Sequence, residues 1–277
     1  MLKKWMALAL IVLTITTSAA FAGTSHWGGF ENPTGPIADK VNDIYNFLFW
    51  VTAIIFIGVQ AVLIYSIFKF RRKKNPKPAT FTHNTPLEIV WMTIPAIICV
   101  VIAWKSFEGM RFIRSMPETG IDIEVIAYQF GWDFDYPDLE VSAPEMDMEV
   151  AKKNEKWLKE LTAYNDSFTV KEMVVPVNTN VRLHITSRDV IHAFYVPELV
   201  IKVDSMPGRI NYQWFNIPKE GVYIGQCAEL CGSAHGFMYF AIRAVSQEDY
   251  AKWVNKQRNE NGLEPLNPMQ IAQTQEL

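Results

Sequence analysis

Two cysteines, a histidine and a methionine fall within twelve residues in the run Cys227-Ala-Glu229-Leu-Cys231-Gly-Ser-Ala-His235-Gly-Phe-Met238. A further histidine, His192, stands 35 residues before Cys227 in Val190-Ile191-His192-Ala193-Phe194. Thiolate, thioether and imidazole together are a donor set for a transition metal. Three plainer readings compete. Cys227 and Cys231 could form a local disulfide in an oxidising compartment, two thiolates and two imidazoles have the donor types of a structural zinc shell, and Met238 could be core filler. Tetrahedral zinc has no use for the thioether, whereas Cys, two His and a weak axial Met describe an electron-transfer copper site. The second cysteine gains a role if both thiolates bridge two copper ions. The bridges then supply four bonds, and two imidazoles, a thioether and one main-chain carbonyl bring the total to eight, four to each metal. A two-copper, thiolate-bridged centre is the economical reading of this spacing, with zinc and the disulfide standing as alternatives. Ligands fixed on strand-end loops, with no open position for substrate, suit one-electron transfer rather than hydrolysis.

A second group of residues could serve recognition. The run Tyr128-Gln129-Phe130-Gly131-Trp132-Asp133-Phe134-Asp135-Tyr136 alternates aromatics with carboxylates. On a sheet this is core packing on one face, or a docking surface where apolar contact is ringed by acids, Asp138 included, that steer a cationic partner. His184 alternates within a strand pattern and reads as an ordinary side chain. Glu88, at the rim of an apolar stretch, is an interfacial charge or part of an ion path.

These groups must be positioned by the surrounding elements, and the sequence divides clearly. Residues 1–22 carry Lys3, Lys4, an apolar run and an Ala20-x-Ala22 ending, the pattern of a cleaved signal peptide. An exported segment, 23–43, leads into an uncharged stretch long enough to cross a bilayer, giving a membrane helix over 44–69. The loop 70–85 is rich in Lys and Arg and therefore cytoplasmic. A second membrane helix is expected over 86–108, with Pro95 tolerated inside it and Lys105 reaching the interface. Beyond it, 109–246 alternates apolar and polar residues in short runs separated by turns, the texture of a small antiparallel β-sandwich or barrel outside the membrane. A charged excursion, 144–166, interrupts that texture and reads as a partly helical surface insertion. Ser246 with an acidic first turn opens a C-terminal helix, and 247–277 reads as that helix followed by a disordered tail. The fold class is thus a two-helix transmembrane hairpin followed by an all-β, exported domain. Residues 1–109 carry a net +5 and 110–277 a net −8, which argues against nucleic acid and for a basic partner. Three cysteines cannot build a disulfide framework.

From the first membrane helix to about Val245 the sequence resembles subunit II of the haem–copper cytochrome c oxidases. The Cys227–Met238 run matches that family's binuclear copper signature at every ligand. His192-Ala-Phe-Tyr-Val-Pro197 and Lys202-Val-Asp204-Ser-Met-Pro207-Gly208-Arg209 resemble the segments around and after its first histidine ligand. The resemblance implies a cupredoxin-like domain with Cys227 and Cys231 bridging two coppers, His192, His235 and Met238 as terminal ligands, and Glu229 donating its main-chain carbonyl. It also implies that the Glu229 side chain reaches a Mg²⁺ or Mn²⁺ shared with subunit I, and that Glu88 stands at the mouth of a proton path. Two positions depart from the family pattern. Phe130 replaces the indole thought to receive electrons, and Arg188 stands beside Asp189 where a second carboxylate is common, so electrons could come in by Trp132, or the donor could be another small redox protein. With no Cys-x-x-Cys-His, no haem is attached to this chain. The expected function is the electron-input subunit of an aa3-like oxidase of the bacterial cytoplasmic membrane, two-pass, with its copper domain in the periplasm. It would take electrons from cytochrome c or another soluble donor and pass them to haem in subunit I, where oxygen is reduced with proton pumping. Subunit III and membrane lipid are the other expected partners. The alternatives are the copper-bearing subunit of a nitric oxide reductase and a structural, quinol-oxidase-type subunit, which would lack the ligands.

Overall fold

The computed structural model describes residues 32–77, 79–146 and 170–274. The expected signal peptide, 1–22, and all but the first residues of the expected insertion, 144–166, lie outside the described residues. Two units are distinct: Lys40–Ser115, and a second comprising the residues on either side of it.

The first unit holds α1 (Pro36–Lys69) from Lys40 onward and α2 (Thr85–Arg114), both helices long and apolar enough to cross a membrane. Their apolar side chains, Trp50, Phe56, Ile64, Ile94, Val100 and Trp104 among them, face outward, as a helix surrounded by lipid requires. α1 starts eight residues earlier than the apolar stretch beginning at Ile44, because Asp39, Lys40 and Asp43 are helical without being apolar. Lys40 Nζ meets Glu108 Oε1 at 2.7 Å, and Lys105 lies 5.6 Å from the Phe47 ring centroid, so charged groups join the two helices at one end. At the other end Asn84 caps α2: its side chain accepts from Leu87 N at 3.2 Å. Glu88 Oε1 accepts from Asn84 N at 3.1 Å.

The second unit is a sandwich of two five-stranded sheets. Its strands are β1 (Ile121–Tyr128), β2 (Gly131–Tyr136), β3 (Val141–Ser142), β4 (Lys171–Pro176) and β5 (Asn180–Ser187). They continue with β6 (His192–Val196), β7 (Ile201–Ser205), β8 (Asn211–Asn216), β9 (Gly221–Cys227) and β10 (Tyr239–Val245). One sheet has the order β3-β2-β1-β5-β8 and the other β4-β10-β9-β6-β7. The expected sandwich is present and mostly antiparallel, as read, but with two exceptions: β1 runs parallel to β5 and β10 parallel to β4. Alternation tells which face of a strand is buried; it carries no information on the direction of a neighbour reached by a crossover. The tail is also corrected. After α3 (Gln247–Glu260), capped by Ser246 as expected, the chain continues into α4 (Pro268–Gln273), opened by an Asn267–Gln270 capping box. Arg258, buried, fastens α3 to the sandwich through the carbonyl of Leu139 at 2.6 Å.

Between the sheets lies an aromatic core. Trp132, Phe134 and Tyr136 of β2 all point inward, while Asp133 and Asp135 point outward. Phe240 is at its centre, stacked on Phe194 at 4.5 Å and edge-on to Trp132 and Phe134 at 5.2 and 5.5 Å. Gly225 makes room for it: a Cβ there would fall 2.0 Å from the Phe240 ring. Truncating so central a ring leaves a cavity, so Phe240→Ala should cost ~3–5 kcal/mol in a denaturant titration of the full chain. A loss below about 1 kcal/mol would show that the core relaxes around the site.

Candidate metal centre

Strand pairing brings the chemistry together. β9 ends at Cys227, and the hairpin it forms with β10 closes with Cys227 N donating to Met238 O at 3.0 Å, so two residues eleven apart in sequence become neighbours. β6 pairs with β9 at Phe194↔Cys227, and Ala228 N donates to Ala193 O at 3.0 Å, which sets His192 beside the start of the ligand loop. A 3₁₀ turn at His235–Phe237 folds the far half of that loop back. Gly232, with φ of +145°, makes the bend that follows Cys231.

The resulting cluster is buried at its sulfurs and at His192. The Cys227 and Cys231 Sγ atoms lie 4.0 Å apart and are not bonded to each other. Around Cys227 Sγ stand His192 Nδ1 at 3.8 Å and the Glu229 carbonyl at 3.3 Å. Around Cys231 Sγ stand His235 Nδ1 at 3.6 Å and Met238 Sδ at 3.3 Å. Donor atoms of His192, Cys227 and Cys231 all lie within 4.8 Å of one another. Each sulfur thus has its own two donors, while the sulfurs face each other. A disulfide is not what this geometry contains. A single tetrahedral ion would leave at least two of the six donors idle, so the set fits a two-metal group better than zinc.

Electrostatics point the same way. Burial pushes both thiols up, but hydrogen bonds from His192 and from main-chain groups of Glu229 and Ala193 bring the first proton of the pair below the usual thiol range. The second is held above that range by burial and by the charge of the first thiolate. The first thiolate carries a negative charge that a bound cation would stabilise, and a cation would also favour loss of the second proton.

His192 is oriented by Asp189, whose Oδ1 lies 2.9 Å from Nε2 and leaves Nδ1 facing the sulfurs. The family resemblance, by which Asp189 would belong to the donor-docking patch, is met by a carboxylate turned toward its neighbours, accepting from Gln129 N and Val190 N, each at 2.7 Å. The signal for this was its position three residues before His192. Trp132 is also corrected. It is 1% exposed, donates Nε1–H to Met238 O at 3.3 Å and stands edge-on to the His192 ring, so it underlies the loop and cannot meet a donor directly. Phe130, partly exposed, lies over the same loop, with its ring 2.9 Å from where a Cβ on Gly232 would be. Asp133 pairs with Arg188 at 2.9 Å, and that guanidinium lies 5.5 Å from the Tyr128 ring. Asp135 accepts from Ser142 at 2.5 Å. Glu229 is exposed, and His184 sits on the outer face of β5 against Asp122 at 3.1 Å, away from the cluster. Glu88 belongs to the helical unit.

A sulfur-rich cluster able to hold metal in a β-sandwich, on a chain with two helices long and apolar enough to cross a membrane, defines a membrane-anchored, cupredoxin-like redox protein. Residues 24–108 match the transmembrane domain of cytochrome c oxidase subunit II and residues 121–245 its periplasmic domain. The chain is 40% identical over 276 residues to the probable cytochrome c oxidase subunit 2 of Rickettsia felis, covering 98% of this chain and 85% of that one. It is 36% identical over 242 residues to cytochrome c oxidase subunit 2 of Cereibacter sphaeroides, covering 83% and 80%. It is also similar to the crystal structure of the periplasmic domain of subunit II of the cytochrome oxidase of Bradyrhizobium japonicum, at 34% identity over 53% of this chain and 99% of that one, with a TM-score of 0.44. The chain belongs to the cytochrome c oxidase subunit II family. It is a two-pass membrane protein and the electron-input subunit of a haem–copper oxidase.

The contacts of Asp189 have a consequence at acid pH. Although burial alone would raise it, hydrogen bonds from His192, Gln129 and Val190 hold its carboxyl at about 2 rather than 3.8. A depressed carboxyl adds stability above its unfolded value that is lost as pH falls toward the folded one. In the metal-free chain Asp189→Asn should therefore flatten the decline of melting temperature between pH about 4 and about 2. An unchanged decline would assign that limb to other carboxyls.

Proposed function

We propose that His192, Cys227, Glu229 through its carbonyl, Cys231, His235 and Met238 hold a binuclear copper centre, with both thiolates bridging. The observation that carries the reading is the arrangement of four further donors in two pairs around two free sulfurs 4.0 Å apart. Copper bound there supplies a one-electron couple shared by two nuclei. The protein's part is to keep the ligands still. Sheet pairing fixes His192 and Cys227, Trp132 supports the Met238 carbonyl from below, and Asp189 holds the His192 ring. A cluster that moves little on gain or loss of an electron exchanges electrons quickly.

The chain accepts single electrons from a soluble donor, cytochrome c or another small redox protein, and delivers them to haem in subunit I, where oxygen is reduced and protons are moved. Phe130 is the natural contact point, being the partly exposed aromatic over the ligand loop. With Asp133 and Asp189 engaged internally, Asp135 and Asp138 carry more of the steering. The exposed Glu229 side chain is available to a Mg²⁺ or Mn²⁺ shared with subunit I. Glu88 is the carboxylate at the entrance of a proton path, supported by its position in the first turn of α2. The lysine- and arginine-rich loop after α1 supports insertion in the bacterial cytoplasmic membrane with the sandwich outside, alongside subunit I and subunit III.

Full-length chain in detergent, reconstituted with copper, should take up two ions and show the purple, mixed-valence spectrum of a delocalised pair. Cys231→Ser should abolish that spectrum. One colourless zinc per chain, or a serine variant with unaltered bands and both metals, would reject the bridged centre.

A further inference from the structure

Gln129 lies outside both ligand segments yet is bonded to both. Its main-chain N–H donates to Asp189 Oδ2 at 2.7 Å, and the other oxygen of that carboxylate holds the His192 ring at 2.9 Å. Its side-chain Nε2–H donates to the main-chain carbonyl of Cys231 at 2.5 Å. We infer that Gln129 is a positioning residue of the metal centre, a clip that fixes the ligand loop at Cys231 relative to the strand that carries His192.

The need for such a clip follows from where the sheet ends. Ladder pairing between β6 and β9 reaches Cys227, and one further bond, Ala228 N to Ala193 O, extends it. The far half of the loop has bonds of its own, His235 N to Gly232 O and Phe237 N to Ala234 O. Cys231 falls between these two stretches, and its carbonyl is reached from the β1–β2 turn. Phe130 adds an apolar contact one residue on, against Gly232. The turn therefore grips the loop immediately on either side of the Cys231–Gly232 peptide, and the same turn, through Asp189, orients the first histidine. Outer contacts of this kind set ligand direction, and their loss commonly weakens metal binding. Gln129 is exposed, so replacing it disturbs none of the apolar core.

The inference rests on the copper centre proposed above, and the test separates the two. Full-length wild type, Gln129→Met and Gln129→Glu, each in detergent, are loaded with copper; copper per chain, release to a copper chelator, reduction potential and electron paramagnetic resonance are then measured. Methionine keeps the length but removes the donor, and glutamate sets an acceptor against the Cys231 carbonyl. Both variants should still bind two coppers at saturation. Gln129→Met should hold them roughly 10-fold less tightly, with a displaced potential and altered hyperfine coupling, and Gln129→Glu should exceed it in each respect. A methionine variant with wild-type copper retention, potential and hyperfine pattern overturns the role of Gln129, even if the copper-free melting temperature has dropped. Wild type that takes up no copper pair overturns the centre itself.

Discussion

Two thiol sulfurs held 4.0 Å apart inside a protein, with the first proton of the pair readily lost, are a concentration of negative charge that the fold must justify. A disulfide would relieve it, and the structure has none. Retention of the second proton limits it to one charge, and the soft donor set suits cationic charge beside the sulfurs. The fold is arranged to hold this one contact. The β9–β10 hairpin returns Met238 to Cys227, the β6–β9 pairing delivers His192, and the indole of Trp132 supports the loop from the core. Rigidity of that kind is what a one-electron site requires, because nuclear rearrangement on reduction slows transfer.

The surface around the site has a different electrostatic character from the one its composition suggests. Residues 110–277 are acidic as a whole, yet near the sulfur cluster Asp133 is neutralised by Arg188, and Asp189 serves His192. In the function proposed above, long-range attraction for a basic donor would rest on the domain's overall charge, and close contact on the partly exposed Phe130. At the membrane unit, the carboxylate of Glu88 caps the start of α2 while remaining partly exposed.

The residues that converge at the cluster were legible in the sequence because metal chemistry restricts residue types so severely that a few spacings suffice to single them out. The faces of the strands were also legible: alternation in Trp132-Asp133-Phe134-Asp135-Tyr136 separates core from surface. What periodicity could not carry was partnership between distant segments. The parallel register of β1 on β5, Ala127 opposite Ser187, brings Arg188 to Asp133 and Asp189 to Gln129, and nothing local in either stretch announces it. For the same reason the sequence did not show what Trp132 packs against: Phe194 and Phe240 come from the opposite sheet. The polar first turns of α1 and the short helix α4 escaped apolar patterning because one lies beside an apolar span and the other is set by its cap.

The most direct measurement is anomalous diffraction at the copper edge from crystals of the copper-loaded protein. Two adjacent copper peaks, both flanked by Sγ of Cys227 and Cys231, with His192 on one and His235 on the other, are the predicted result. A single peak, or sulfurs joined to each other with no metal between them, would contradict the account.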